Sequence, residues 1–268
     1  MIKCKLWLLL FCVIPLLVTA QTEQWDVYLA QYDKGVGSVI VDMGVKDMAP
    51  VARLPFMIIT GVKFDDCKAD GMPSTNEFDH LYVVSDSVKL KINNLVENKL
   101  VGTFTYQCER LDYYYVKDTV GLRQVLSALY STRFERYQPY ISFREDKSWK
   151  GYLDFLYPNE VIFEYMKNQK VLIGLQESGD DFEKSRKVDH WLYFATEQGR
   201  ECFIEYATKN KFIIETKEKT VTDLPFKLQI SRTDKVTLPE ISAITLELRK
   251  QVRKCKGKYD GWETFVVK

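Results

Sequence analysis

The order of strand-type and helix-type patterns in the last third of the sequence restricts the fold more than any other feature. A β-rich run at residues 188–194 leads into a helix-type stretch capped by Thr196, and β-rich runs follow at 212–216 and 226–230. A second amphipathic helix and a closing strand at 262–267 complete the order strand–helix–strand–strand–helix–strand. That order is typical of the ferredoxin-like fold, in which an antiparallel sheet carries its helices on one face.

The preceding half of the chain repeats this order without repeating its residues. A capping box of Ser74 and Glu77 starts its first helix, and Asp118 is the expected cap of its second helix. Its strand-type runs are residues 56–64, 103–108, 111–116 and 140–144, with helices between the first two and between the last two. A β-rich pair at 25–32 and 38–43 stands in front as an extra hairpin. We therefore predict an α+β protein of two ferredoxin-like (βαββαβ) domains, the first with an additional N-terminal hairpin.

The predicted domain boundaries follow from these patterns. Between the two repeats lies a less regular stretch, for which we predict a helix from Pro158 to Lys167 and a short strand at 171–175. We interpret this stretch as a connection between domains. The boundaries are residues 1–20 for a signal peptide, 21–149 for the N-terminal domain, 150–184 for the connecting segment and 185–268 for the C-terminal domain.

The first twenty residues have the pattern of a secretory signal. Lys3 and Lys5 precede an uncharged apolar run over 6–18, and small or β-branched residues lead to Ala20. The run is too short and wrongly flanked to span a membrane. We expect cleavage after Ala20, which removes two lysines and no acid and takes the net charge from +1 to about −1. The mature protein is then periplasmic or extracellular, without a membrane span.

Export would place the remaining cysteines in an oxidising compartment, where disulfides form. Cys67, Cys108, Cys202 and Cys255 remain after cleavage, an even number in a compartment that permits disulfides. In the predicted C-terminal domain, Cys202 lies early in one helix and Cys255 at the end of the antiparallel one, so both reach the same end of the layer. Both also lie on the apolar stripes of their helices and are expected to point inward. We predict that they pair, with two buried thiols as the alternative. Cys67 and Cys108 form a weaker candidate pair, because a third strand is expected between the strands they follow.

Two motifs resemble a known bacterial family of two-domain proteins. They are His190-Trp191-x-Tyr193-Phe194 and Tyr259-Asp260-Gly261-Trp262-Glu263, and the Asp70-Gly71-x-Pro73 turn also fits. That family joins an N-terminal domain of unknown function to a C-terminal domain similar to the regulator of ribonuclease E activity B. The resemblance implies a regulator that binds a protein. Because this chain has a signal peptide and lacks that regulator's acidic tails, ribonuclease E itself, a cytoplasmic enzyme, is not the expected partner.

The sheet of the C-terminal domain supplies the candidate binding residues. Strand alternation directs His190 toward the helices and other side chains toward the helix-free face. The candidates on that face are Trp191, Tyr193, Lys227 and Gln229, with Ser231 beside them. This face either binds a partner or packs on the first domain. Tyr259 and Trp262 are further candidates, although the Gly261 between them favours a bulge or turn.

Reaction motifs are missing from the sequence. It has no G-x-S-x-G, H-E-x-x-H or Walker A pattern, and its two histidines fall in different halves, so we predict no metal site and no cofactor. The near-zero net charge argues against nucleic acid as a partner. We therefore predict a non-enzymatic binding or regulatory protein acting on another protein. The alternative is a hydrolase-like enzyme with a site between the domains that uses Asp189, His190 or Glu263.

Overall fold

The structure, a computed structural model, describes residues 23–268. The predicted signal peptide, with Cys4 and Cys12, lies outside the described residues. Contacts divide the described chain into two compact units. The first unit comprises residues 23–27 and 37–153, and the second comprises residues 28–36 and 154–268.

The sheet that spans the first half has six antiparallel strands. Its order is β1-β2-β4-β5-β3-β6, so the strands β4-β5-β3-β6 have the ferredoxin-like arrangement and the N-terminal hairpin extends it beyond β4. The elements are β1 (Trp25–Tyr32), β2 (Gly35–Asp42), β3 (Phe56–Lys63), α1 (Thr75–Asn93), β4 (Asn98–Tyr106), β5 (Glu109–Val116), α2 (Leu122–Arg133) and β6 (Gln138–Glu145).

Helices α1 and α2 cover one face of this sheet. Helix α1 begins where the sequence predicts, because the Ser74 side chain accepts a hydrogen bond from the Glu77 amide. Helix α2 begins only at Leu122, after Gly121 in a left-handed conformation (φ 73°), and Asp118 instead accepts from the Val120 amide. The expected Asp118 cap is therefore wrong, since the intervening turn uses that carboxylate.

The opposite face of the first sheet is also covered. Trp149 stacks on Tyr115 of β5, with ring centroids 4.0 Å apart, and the Tyr152 hydroxyl donates to the Asp42 carbonyl at 2.8 Å. Gly151 lies against Met57 so closely that a Cβ there would come within 2.2 Å of its sulfur. The segment that follows β6 thus closes the helix-free side of this sheet.

The second unit contains a four-stranded antiparallel sheet of order β10-β7-β9-β8, which is again the ferredoxin-like order. Its elements are α3 (Glu160–Glu177), β7 (Arg186–Phe194), α4 (Glu197–Lys209), β8 (Ile213–Lys219), β9 (Phe226–Asp234), α5 (Leu238–Lys254) and β10 (Gly257–Thr264). The predicted closing strand at 262–267 is misplaced, because pairing with β7 already begins at Gly257 opposite Phe194.

The strand predicted in the connecting segment is wrong, because the structure has a single helix, α3, over that part of the chain. The strand expected at 171–175 lies inside this helix, whose buried residues include Met166, Leu172 and Leu175 at helical spacing. Asn168, 1% exposed, donates to the hydroxyls of Ser242 (3.0 Å) and Thr245 (2.9 Å) on α5. Its carbonyl oxygen accepts from the indole nitrogen of Trp262 at 2.8 Å. Helix α3 is therefore an integral layer of the second unit, packed on α5.

Both cysteine pairs are joined as disulfides in the structure, each with 5.8 Å between its Cα atoms. Cys255 is buried, but Cys202 is exposed, so the expectation that both point inward is wrong. Gly199 permits the approach, since a Cβ there would lie 2.6 Å from the Cys255 carbonyl oxygen. Cys108 reaches Cys67 because it lies in the turn between β4 and β5 rather than beyond it, and no strand intervenes.

Within residues 23–268, no helix combines the length and the apolar character that crossing a membrane requires.

Candidate functional site

Strand β7 divides its side chains between the two faces of the second sheet. Val188, His190, Leu192 and Phe194 are buried under the helices, whereas the residues between them are partly exposed. This alternation is the one the sequence pattern predicts. The helix-free face therefore carries Asp189, Trp191 and Tyr193 from its central region.

Cross-strand pairing brings four of the predicted site residues together. Trp191 lies opposite Gln229, and Tyr193 lies opposite Lys227, in adjacent positions of the β7–β9 ladder. Side chains in such pairs are about 5 Å apart at Cβ, so the four residues form one continuous patch. We call Trp191, Tyr193, Lys227 and Gln229 the aromatic patch.

One end of the aromatic patch continues into a polar network. The Gln229 amide donates to the Asp189 carboxylate at 3.0 Å, and the Lys187 ammonium lies 3.2 Å from Asp189 and 2.9 Å from Glu215. Ser231 donates to Glu215 at 2.6 Å. Hydrogen bonds from Lys187 and Ser231 lower the pKa of Glu215, and hydrogen bonds to Glu215 and Asp189 raise the pKa of Lys187. Lys187 and Glu215 are therefore both charged near neutral pH, and each holds the other in place.

Beside Trp191 the face has open space at Gly261. Gly261 pairs with Trp191 across β10 and β7, next to the bulge between Tyr259 and Gly261 that the sequence predicts. A Cβ added at Gly261 would meet nothing within 4 Å, and the backbone there is not left-handed. Backbone freedom is thus not the reason for this glycine, contrary to expectation. Its effect is an open space beside the indole.

The other two candidates lie in the interior. Tyr259 is 2% exposed and shares a hydrogen bond of 2.8 Å with Nδ1 of His190. Trp262 is 8% exposed and donates to Asn168. The structure therefore places Tyr259 and Trp262 on the helix side of the sheet, apart from the aromatic patch.

The residues of the enzymatic alternative do not form one group. His190 is fully buried, and burial, followed by the charge of Arg232, lowers its pKa to about 3. Asp189 and Glu263 are paired neighbours on the opposite face of the sheet. A neutral histidine separated by the sheet from both carboxylates cannot exchange a proton with them. His190 is a core residue bonded to Tyr259.

The part of the chain covered by the structure has no cluster of three or more His, Cys, Asp or Glu residues arranged to hold a metal ion.

The sequence models of two known protein families match this chain, one in each half. The sequence model of a family of unknown function, DUF695, matches residues 23–157, half of the chain. The chain belongs to this family. A second model, described as regulator of ribonuclease activity B, matches residues 166–264. The protein therefore has an N-terminal DUF695 domain and a C-terminal domain of the ribonuclease-regulator family. No curated protein matches the chain.

The regulator-type match includes the whole aromatic patch and Gly261. It also begins inside α3, so it takes in Asn168 and its hydrogen bonds to α5 and β10. The sequence places α3 in a connecting segment for a clear reason. The apolar run at 171–175 contains β-branched residues, and its spacing does not distinguish a helix from a strand. The open space at Gly261 could not be predicted for a different reason, since an empty space leaves no pattern in a sequence.

Proposed function

We propose that the protein is an exported, non-enzymatic regulator that binds another protein through the helix-free face of its C-terminal sheet. The regulator-type domain supports a regulatory, protein-binding role in general. The observation that supports this particular face is the aromatic patch, with partly exposed Trp191 beside the open space at Gly261. Large aromatic side chains of this kind are enriched among the residues that anchor protein interfaces, and the open space leaves room for a partner's side chain.

The polar network beside the patch fits the same role. Charged and amide groups that already hold one another lose little freedom when a partner covers them. The partner is expected to insert an apolar side chain at Gly261 and to meet polar groups toward Asp189 and Glu215. Hydrophobic contact at the centre with polar groups at the rim is the usual composition of a protein interface.

Affinity capture with matched variants tests the binding face. The mature protein is immobilised beside Trp191→Ala, which removes the anchor, and Gly261→Val, which puts a side chain into the open space at a position where an added Cβ meets no atom within 4 Å. Ile173→Ala changes an exposed aliphatic residue of α3 in the same domain and is the control. We expect a stoichiometric protein from cell-envelope extract to bind the wild type and the control, and both patch variants to bind it at least tenfold more weakly.

Two results would reject this face as the binding surface. One is equal retention of the same partner by all four proteins. The other is a loss of stability in Trp191→Ala without any loss of binding, which would assign the patch to packing within the chain.

Export is tested separately by intact-mass measurement. The envelope or secreted form is expected to have the mass of residues 21–268. Full-length protein found only in the cytosol would remove export from the proposal and would restore a cytoplasmic ribonuclease as a candidate partner.

A further inference from the structure

The first unit contains a buried arginine that forms no ion pair within residues 23–268. Arg110 of β5 is 6% exposed, and its Nε, fully buried, has no hydrogen-bond partner within residues 23–268. The ring of Tyr82 on α1 covers the guanidinium, with 5.0 Å from Cζ to the ring centroid, and Tyr82 is itself 48% exposed. Arginine stays protonated at any physiological pH, so this charge cannot be relieved by losing a proton.

The other two buried arginines of the described chain each have a carboxylate partner, which Arg110 lacks. Arg186, 3% exposed, binds the Asp180 carboxylate and a backbone carbonyl oxygen. Arg200, 6% exposed, donates to the Glu218 carbonyl at 3.1 Å and to the Glu197 carboxylate at 3.0 Å. Its Nε, like that of Arg110, has no hydrogen-bond partner within the described residues, so the difference between the two lies in the bonds of the terminal nitrogens. Both have the anionic partner that burial of a guanidinium requires. Arg110 is as buried as these residues and has an aromatic ring in place of an acceptor.

One carboxyl group interacts with Arg110 through its charge but forms no hydrogen bond or ion pair with it among the described residues. Asp112, two residues along β5 and 3% exposed, accepts a hydrogen bond from the Thr103 hydroxyl at 2.7 Å. Burial raises the pKa of Asp112, and the charge of Arg110 only partly opposes the shift. Next on the same side of the strand, the buried hydroxyl of Tyr114 also has no partner within the described residues. Arg110, Asp112 and Tyr114 form a row of polar groups under α1 that is not saturated internally.

We propose that Arg110 anchors a binding site in the DUF695 domain for a small molecule bearing an oxyanion, either a carboxylate or a phosphate. The planar guanidinium matches two oxygens of such a group, and the ring of Tyr82 holds its plane from one side. Tyr82 is exposed enough to move with an entering ligand. This site is separate from the aromatic patch and does not depend on the proposed partner.

Thermal unfolding with simple oxyanions tests the proposal. Inorganic phosphate and acetate are titrated at constant ionic strength against a chloride reference, so that general screening is held fixed. Arg110→Met keeps the aliphatic stem and removes the charge. Arg123→Met is the matched control, because Arg123 also lies over an aromatic ring (Phe143, 4.8 Å) but is exposed.

We expect at least one of the two anions to raise the Tm of the wild type and of Arg123→Met by several degrees with saturation. Arg110→Met should show no such shift, and without anion it should melt no lower than the wild type, since an unpaired buried charge has been removed. The anion with the stronger effect distinguishes a phosphate ligand from a carboxylate ligand. The proposal is overturned if Arg110→Met responds like the wild type, or if neither anion exceeds chloride.

A measurement on the wild-type chain covers the case in which Arg110→Met does not fold. The Nε–H resonance of Arg110, assigned by its loss in Arg110→Lys, should shift on addition of phosphate or acetate and should stop shifting at saturation. An unchanged resonance throughout both titrations would contradict the site.

Discussion

At the scale of single residues, burial decides what His190 does. The same imidazole would be a candidate general base on a surface, but under α4 and α5 it is held neutral and hydrogen-bonded to Tyr259. Its pKa, lowered to about 3, differs from that of an unfolded chain, which is near 6.5. The folded state therefore resists binding a proton that the unfolded state accepts.

The stability of the second unit should consequently fall as the pH decreases. A lowered folded-state pKa contributes stability that is complete above about pH 6.5 and is lost progressively toward pH 3. Between pH 7.5 and pH 5 the expected loss is about 2 kcal/mol. Urea unfolding at both pH values measures it in the wild type and in His190→Leu, which should lack this component of the loss.

Comparison of variants is needed because carboxyl groups also titrate toward pH 5. His80→Gln changes the other histidine, which is exposed on α1, and is the matched control variant. Equal pH dependence in the wild type and His190→Leu would show that His190 is protonated in the folded protein.

At the scale of elements, the contact between the start of α4 and the end of α5 controls one cross-link. Helix direction alone places Cys202 and Cys255 at the same end of the layer, and the absence of a side chain at Gly199 lets the two ends meet. The bridge encloses a sequence separation of 53 residues. In the chain-entropy model such a loop contributes about 4 kcal/mol to the free energy of unfolding.

We expect non-reducing peptide mapping of envelope-purified protein to recover the Cys202–Cys255 peptide pair. Replacing both cysteines by serine should lower the stability of the second unit by about 4 kcal/mol, less any relief of native strain. The Cys67→Ser/Cys108→Ser variant is the matched comparison and should affect the first unit instead. Free thiols at 202 and 255 in the purified protein would show that the pair remains reduced.

At the scale of the whole molecule, α3 is part of the longer segment of the second unit, residues 154–268. Its residues Leu172 and Leu175 pack with Val188, Ile241 and Trp262. A chain of residues 185–268 lacks this layer and leaves apolar surface of α5 and β10 uncovered. The same chain preceded by residues 154–184 retains it.

We therefore expect the fragment 154–268 to unfold cooperatively and the fragment 185–268 to be unfolded or markedly less stable. In the longer fragment, Asn168→Ala should cost about 2 kcal/mol or more, because it leaves the Trp262 indole and two hydroxyls without their partner. Gln169→Ala, at the exposed neighbouring position, is the control. Urea unfolding followed by circular dichroism measures the stability of the two fragments and of the two variants. Equal midpoints for the two fragments would show that α3 is dispensable.

Local periodicity was sufficient for the architecture of this chain. Alternation at 188–194 and the capping residues Ser74 and Thr196 depend on neighbours within one turn or one strand, and the structure contains them as predicted. Two successive strand–helix–strand–strand–helix–strand orders then leave few ways to bury both sheets, and both adopt the ferredoxin-like order. The motifs of the second half were also sufficient to indicate its family.

Only the tertiary structure decided the properties that depend on distant parts of the chain. The run at 171–175 is compatible with a strand or a helix, and its packing on α5 selects the helix. The exposure of Cys202, the empty space beside Trp191 and the lack of an acceptor for Arg110 Nε within residues 23–268 each depend on which groups fold against that position. Burial and hydrogen bonding are set by three-dimensional neighbours, whereas a sequence pattern reports only the neighbours along the chain.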